Sequence, residues 1–302
     1  VTNFSSSILL QAAASQAGGQ EYPAATLYVV ATPIGNLADF SLRAVHTLGL
    51  VDAVACEDTR HSGQLLRHLG IDKPLLAAHE HNEREAAQAV VARLLRGERV
   101  AYVSDAGTPA ISDPGARLVA SVRAAGFRAL PIPGVSSVVT ALSVAGVEEN
   151  GPFRFVGFLP SAAKERERLL SECARMNETQ VLFEAPHRIE ALCAQLAALC
   201  PERALSLCRE LTKQFESVHT LAAGQAPAWL AEQPHRSRGE FVVVLHASPA
   251  APEPMVEAGH ENTLRILLRE LPLKQAVALA AEITGAARNG LYARALEIKA
   301  ED

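Results

Sequence analysis

Tyr102 to Gly115 reads YVSDAGTPAISDPG. A short apolar run ends in Ser104 and Asp105, and Gly107, Pro109, Pro114 and Gly115 then crowd into a few positions. Gly and Pro fix turns and let a backbone approach a ligand closely. Two other stretches share this grammar. Leu27–Ala31 is an apolar run followed by Thr32-Pro33-Ile34-Gly35-Asn36. Leu130–Ser137 sets Pro131, Pro133 and Gly134 ahead of Ser136, Ser137 and a helical pattern. Ligands of α/β proteins bind where strands end and loops begin. One such loop is an ordinary turn, and Asp105 taken alone is a turn-forming Asx residue. Three such loops, each after a strand candidate, predict a shared binding cleft.

The elements that must hold these loops are legible as alternation. Strand candidates at Leu27–Ala31, Ala53–Glu57, Leu75–Ala78, Arg99–Ser104 and Arg128–Ile132 are separated by helical patterns, among them His81–Arg96 and Pro114–Ala125. Strict alternation implies βαβ crossovers and a parallel sheet. Pro114 suits a first helical turn, where a missing N–H costs nothing. Glu148-Glu149-Asn150-Gly151-Pro152 breaks the pattern. Beyond it, Phe153–Leu159, Gln180–Glu184, Ala204–Cys208 and Glu240–His246 read as strands, and a helix-poor stretch from Glu216 to Gly239 suggests antiparallel pairing in a mixed sheet. The expected fold class is α/β: a parallel-sheet N-terminal domain over 26–148, a mixed-sheet second domain over 149–247, and a small C-terminal helical module. Residues 1–25 are expected to be a flexible extension and 248–262 a linker. Residues 263–302 carry apolar stripes (Leu264, Leu267, Leu268, Leu271; then Ala276, Leu279, Ala280, Ile283; then Leu291, Ala295, Ile298) that suit a helix-turn-helix.

The 302 residues are 49% hydrophobic, and the formal charge of -5 argues against a uniformly basic nucleic-acid wrapper. Five cysteines (Cys56, Cys173, Cys193, Cys200, Cys208) form no CxxC pair, which fits reduced thiols in the cytoplasm. Cys193 and Cys200 have the spacing of one helix face and read as small buried hydrophobes. No apolar run is long enough to span a bilayer. The first 25 residues carry no Lys or Arg and so lack the charged start of a signal peptide.

The ordered blocks ATPIGN (31–36), EDTR (57–60), HEHNE (79–83), SDAGTPAISDPG (104–115), PIPG (131–134), GFLP (157–160), FEAPHR (183–188) and RELTK (209–213) resemble the tetrapyrrole methylase-like superfamily. More narrowly, they resemble its branch that acts on small-subunit ribosomal RNA. The resemblance runs from about Leu27 to His246, and the tail is similar to that branch's C-terminal module. It implies S-adenosylmethionine (SAM) as methyl donor, no metal, and SAM folded into the cleft between two α/β domains. It implies 2′-O-methylation of a cytidine in the decoding region of 16S rRNA, within the 30S subunit, by a homodimer. One departure is Val135-Ser136-Ser137-Val138 after PIPG, where the family often has Pro-Cys or Pro-Ser followed by Ala. Two alternatives remain open: a methyltransferase acting on carbon or nitrogen of a tetrapyrrole, and a non-catalytic SAM-sensing regulator whose tail binds nucleic acid. A dinucleotide-binding oxidoreductase is disfavoured, because ATPIGN is not GxGxxG.

Carried over residue by residue, the resemblance places Pro33, Ile34, Gly35, Asp105, Ala106, Gly107, Thr108, Ser136, Ser137, Phe183 and Leu211 around the cofactor. Asp58 is the first candidate for the base that takes the ribose proton, followed by Glu57, with Glu83 and His81 behind them. Arg60 is a candidate phosphate holder, since its fork matches phosphate oxygens. Glu57, Asp58 and Arg60 read equally well as a helix-cap and ion-pair cluster. Glu184, His187 and Arg188 are expected to line the site, with Glu184 and Arg188 as candidates to bridge the domains. Two basic clusters, Lys164/Arg166/Arg168 and His235/Arg236/Arg238, are candidates to track RNA phosphates. Few exposed aromatics are expected, so a base-stacking platform is not.

Overall fold

Parallel strands with apolar residues on both faces need a helical layer on each side, and the first half of the chain provides both. The structure is a computed structural model that describes residues 4–79, 81–147, 151–248 and 258–301. The domain break expected at 148–150 and most of the expected linker lie outside the described residues. β1 (Thr26–Val30), β2 (Ala53–Cys56), β3 (Leu75–Ala77), β4 (Arg99–Val103) and β5 (Arg128–Ile132) pair in the order β3-β2-β4-β1-β5, all parallel. On one face Tyr28, Val30, Val54 and Cys56 pack with α1 (Phe4–Ala17), α2 (Leu42–Leu50) and α3 (Thr59–His68) through Ala13, Val45, Leu48 and Leu66. On the other face Leu27, Ala55, Val100 and Tyr102 meet α4 (Glu83–Leu95) and α5 (Ala116–Ala124) through Val90, Leu94, Leu118 and Val122. The swap of faces between Leu27 and Tyr28 is the two-residue period of a strand.

The composition of residues 1–25 suggests a flexible extension, yet α1 forms there and buries Ala13 and Ala17. Ala, Leu and Gln are strong helix formers, and Leu9 and Leu10 pack on the first core.

α6 (Ser137–Val144) links the two sheets. In the second half β6 (Phe153–Phe158), β7 (Thr179–Glu184), β8 (Ala204–Arg209), β9 (Ser217–Ala222) and β10 (Phe241–Leu245) pair in the order β6-β7-β10-β8-β9. β6 and β7 are parallel and the other pairs antiparallel, as expected for a mixed sheet. One face packs on α7 (Ala163–Arg175), α8 (Ile189–Leu199) and α9 (Ala226–Ala231), with Leu182, Leu207 and Val243 against Leu170, Leu192 and Leu230. On the other face Val181, Cys208, Val242 and Val244 share a core with Val138, Ala141 and Ala145 of and beside α6. Because α6 contributes to this core, both sheets belong to one compact unit that runs through Ala174 and from Glu178 to Ala247. The stretch from Glu216 to Gly239, expected to be helix-poor, holds the edge strand β9 and the short α9.

Residues 175–177 and the chain from Ser248 onward form the second unit. In it α10 (Ala258–Glu270), α11 (Leu273–Thr284) and α12 (Arg288–Glu301) surround Leu264, Val277, Ala280, Leu291, Ala295 and Ile298. Gly285 ends α11 at a φ of 72°, the left-handed region that glycine reaches without strain. Glu261 of α10 accepts from Arg294 of α12 at 2.8 Å, and Arg294 with Arg265 holds its carboxyl at about 2.

Candidate active site

The strand-end loops of the first sheet are hydrogen-bonded to one another. Thr32 and Gly107 exchange both backbone bonds, at 2.9 and 3.0 Å, so the β1 loop and the β4 loop form a two-residue antiparallel bridge. The Thr32 hydroxyl donates to the Ser104 carbonyl at 3.3 Å. The Thr108 hydroxyl donates to the Val135 carbonyl at 2.9 Å and ties in the β5 loop. The Asp58 N–H donates to Asp105 Oδ1 at 3.2 Å and ties in the end of β2. Gly107 sits at a φ of 78°, and a Cβ there would lie 3.2 Å from Ile34 Cγ2.

The far end of the β4 loop is clamped. Tyr102, buried under it, donates its hydroxyl to the Pro114 carbonyl at 2.7 Å. The Gly115 N–H donates to Glu83 Oε1 at 2.8 Å. Gly115 is at a φ of 125°, and a Cβ there would fall 2.2 Å from the Tyr102 ring. That conformation is not helical, so α5 starts at Ala116 and Pro114 precedes its N-cap rather than sitting in its first turn.

Between these loops and the second sheet lies a cleft of about 410 Å³. Ile34, Ala106, Gly107, Thr108, Ser136 and Ser137 line it from one side, and Phe183 and Leu211 from the other, all expected from the sequence. The remaining candidates stand behind the wall. Pro33 is buried, and Asp105 is turned to Asp58. Gly35 is pressed against the stem of Lys213, where a Cβ would lie 2.5 Å from Cγ. Lys213 is fixed by Glu210 and Glu240, each at 3.0 Å. Glu210 and Thr212, which flank Leu211, have φ of 51° and 67°. The left-handed region costs such residues energy, and strain of this kind collects at ligand sites.

Glu57, Asp58 and Arg60 line no part of the cleft. Asp58 is the N-cap of α3: Oδ1 accepts the Arg60 N–H at 2.7 Å and Oδ2 pairs with the Arg60 guanidinium at 3.0 Å. These bonds hold its carboxyl at about 2. Glu57 is half-buried, and burial first, then Asp105 and Asp113, push its carboxyl up. Cleft residues that the sequence reasoning did not single out include Ile111, Asp113, Phe158 and Glu240, whereas Glu184 was expected at the site and lines it. A signal for one of them was present, since Ser112-Asp113 repeats the Ser104-Asp105 pair eight residues on.

Glu184 is fully buried and braces the second sheet instead of bridging the domains. It forms an ion pair with Arg188, 3.0 Å from Nε, and lies 3.6 Å from Arg166, while Arg188 donates to the Leu159 carbonyl. The first basic cluster is therefore no open phosphate track: Arg166 turns inward to Glu184 and Gln195, and Arg168 pairs with Glu172. In the second cluster Arg236 lies 4.4 Å over the Trp229 ring and pairs with Glu232. Trp229 stacks on His219 at 4.5 Å and 8°, an aromatic pair that the low aromatic content did not lead us to expect.

Comparison with known proteins places this geometry. Residues 26–227 match the family described as tetrapyrrole (corrin/porphyrin) methylases, and residues 254–299 match the RsmI C-terminal HTH domain. The chain is 48% identical to the ribosomal RNA small subunit methyltransferase I of Pseudomonas aeruginosa, over 91% of this chain and 98% of that one. It is 46% identical to the protein of the same name from Vibrio cholerae, over 90% and 94%. Among solved structures, cobalt precorrin-4 methyltransferase superimposes with a TM-score of 0.55 at 15% identity, over 73% of this chain and 94% of that one. The methyltransferase CobJ gives 0.56 at 16%, over 74% and 94%. At such identities these structures show likeness of fold.

Proposed function

The chain belongs to the tetrapyrrole methylase family and, within it, to the ribosomal RNA small subunit methyltransferase I family, and on that premise we propose that it uses SAM to methylate the 2′-hydroxyl of a cytidine in the decoding region of 16S rRNA. The observation that carries this reading is the cleft itself, with three strand-end loops bonded together on one side and an apolar sheet face on the other.

The residues fit the cofactor's chemistry. Ile34, Phe183, Leu211 and Val242 offer apolar walls to the nucleoside. Ser136 and Ser137 stand at the start of α6, and the N-cap Ser136 makes no capping bond, so its hydroxyl and the unpaired N–H groups of the first turn suit the donor's carboxylate. Asp113 and Glu240 at the rim suit a positive sulfur. When bound, SAM supplies an activated methyl group. The protein's part is chiefly alignment, which can supply roughly 7–11 kcal/mol of a barrier.

We assign Asp58 to capping, because a carboxyl held at about 2 has little affinity for a proton. Arg60, with a side chain 89% exposed, remains a candidate phosphate contact. The same reading has the chain act as a homodimer on RNA inside the 30S subunit, in the cytoplasm. Among the described residues no helix is long and apolar enough to cross a membrane.

The test uses labelled SAM and 30S subunits that lack the modification. Label on a single cytidine whose 3′ phosphodiester resists alkaline cleavage is the expected result. Absence of label in RNA together with labelling of a tetrapyrrole overturns the reading.

A further inference from the structure

β9 is the last strand of the second sheet and, among the described residues, pairs on one side only, with β8. Open strand edges are usually covered or blunted with charge; this one carries rings. His219 stands in the middle of β9, opposite Leu207, and is exposed. Its ring lies parallel to that of Trp229 in α9, and the Arg236 guanidinium sits over the same tryptophan. Because His219 is exposed, the face of its ring turned away from Trp229 meets solvent. Phe215, four residues earlier and 67% exposed, sets another ring just before the start of β9.

The loop after α9 is pinned to this edge. Arg209 of β8 donates to the carbonyls of Phe215, His235 and Arg238 and to the Ser217 hydroxyl. Those acceptors are neutral, so none of them cancels the Arg209 charge. His235 and Arg238 are both exposed. The neighbouring carboxylates are engaged elsewhere: Glu232 pairs with Arg236, and Glu216 accepts from the Thr212 N–H. Val218, next to His219, pairs with Cys208, which lines the cleft. Side chains alternate along a strand and neighbouring strands lie about 5 Å apart. The cleft and the stack therefore sit on opposite faces of the same sheet near one edge, and a strand leaving the cleft around β9 meets the stack.

Resting on the ribosomal RNA methyltransferase reading, we propose that this edge binds single-stranded RNA beside the target nucleotide, with an unpaired base stacked on the outer face of His219 and a phosphate on Arg238. Ring faces flanked by guanidinium groups are the combination that holds unpaired bases together with their backbone. The stack is already built by Trp229 and Arg236, so a base that joins it orders little of the protein.

The test uses the full-length protein and 30S subunits that lack the modification. Subunit affinity is measured by filter binding across a range of salt concentrations, and SAM affinity by calorimetry. His219→Leu keeps Trp229 covered but offers no π-face, and is expected to weaken subunit binding about 5–150-fold. His219→Phe restores a ring and is expected to bind like the wild type. Arg238→Ala is expected to weaken binding and to lower the slope of log affinity against log salt by about 1. SAM affinity is expected to be unchanged in all three variants, which separates loss of the surface from loss of the fold. Wild-type subunit affinity in His219→Leu overturns the proposal, as does equal weakening in His219→Leu and His219→Phe, or a fall in SAM affinity that accompanies the weakening. Arg238→Ala that binds more weakly with an unchanged slope assigns the surface to a ribosomal protein and overturns it too. Wild-type protein that labels no RNA defeats the methyltransferase reading instead, a different result from labelled RNA with a tightly bound His219→Leu.

Discussion

At the end of β2, Asp58 caps α3, pairs with the exposed Arg60, and has its carboxyl held at about 2. At the end of β4, the loop into α5 carries Asp113 half-buried in the cleft wall, with its carboxyl pushed up by burial and by Asp105. Both regions set an acidic residue in the connection between a buried strand and the next helix. One carboxylate is satisfied by its own helix, the other is left facing space. The difference shows that position at a strand end supplies an opportunity for chemistry, and that neighbours and burial decide which carboxylate keeps its proton affinity.

The harshest way to break the contrast is to remove the clamp on the β4 loop. Gly115→Ala sets a Cβ 2.2 Å from the Tyr102 ring at a φ of 125°. Strain and overpacking together should cost about 2–5 kcal/mol, seen as a large fall in Tm and in activity. If Gly115→Ala melts like the wild type, the loop is not held as described.

Asp113→Asn sharpens the contrast through stability as well as SAM binding. A carboxyl raised in the folded state contributes stability below its unfolded pKa, and that contribution is lost as pH rises through the folded value. The neutral amide avoids the loss. Asp113→Asn should therefore melt above the wild type at pH 7, with the gap closing as pH falls towards about 4. Thermal denaturation across that range checks the sign.

SAM binding should follow the same group. Asp113 faces Ser104 and Asp105 from β4's end, Glu57 from β2's end, Glu83 from α4 and Arg117 from α5. SAM affinity should rise with pH along a limb above the ordinary Asp value of about 3.9, because the carboxylate that meets the donor sulfur must be ionised. The limb should be missing in Asp113→Asn. The smallest effect belongs to Asp58→Asn. Asn caps helices about as well as Asp, so Tm and turnover should stay near wild type, while Asp58→Ala should lower Tm through the lost cap.

The sheets were legible because each buried strand is an apolar run bounded by Gly, Pro or polar residues. The meeting of the loops was legible because Pro33, Gly107 and Pro133 each follow such a run. α1 was not, since Ala, Ser and Gln between residues 5 and 17 show no clear apolar stripe, and the helix is held by contacts with residues far along the chain. Arg166 sits in a charge run that looks solvated, yet it turns in toward Glu184, a partner eighteen positions away. Asp113 was passed over for a related reason. Its motif was visible, but its burial and its place in the cleft wall arise only when β2, β4 and α4 come together.

The most direct test is a calorimetric comparison of SAM binding by Asp113→Asn and Asp58→Asn. The account predicts an affinity near wild type for Asp58→Asn and one lower by about tenfold or more for Asp113→Asn. The reverse order, with Asp58→Asn binding weakly and Asp113→Asn tightly, would contradict it.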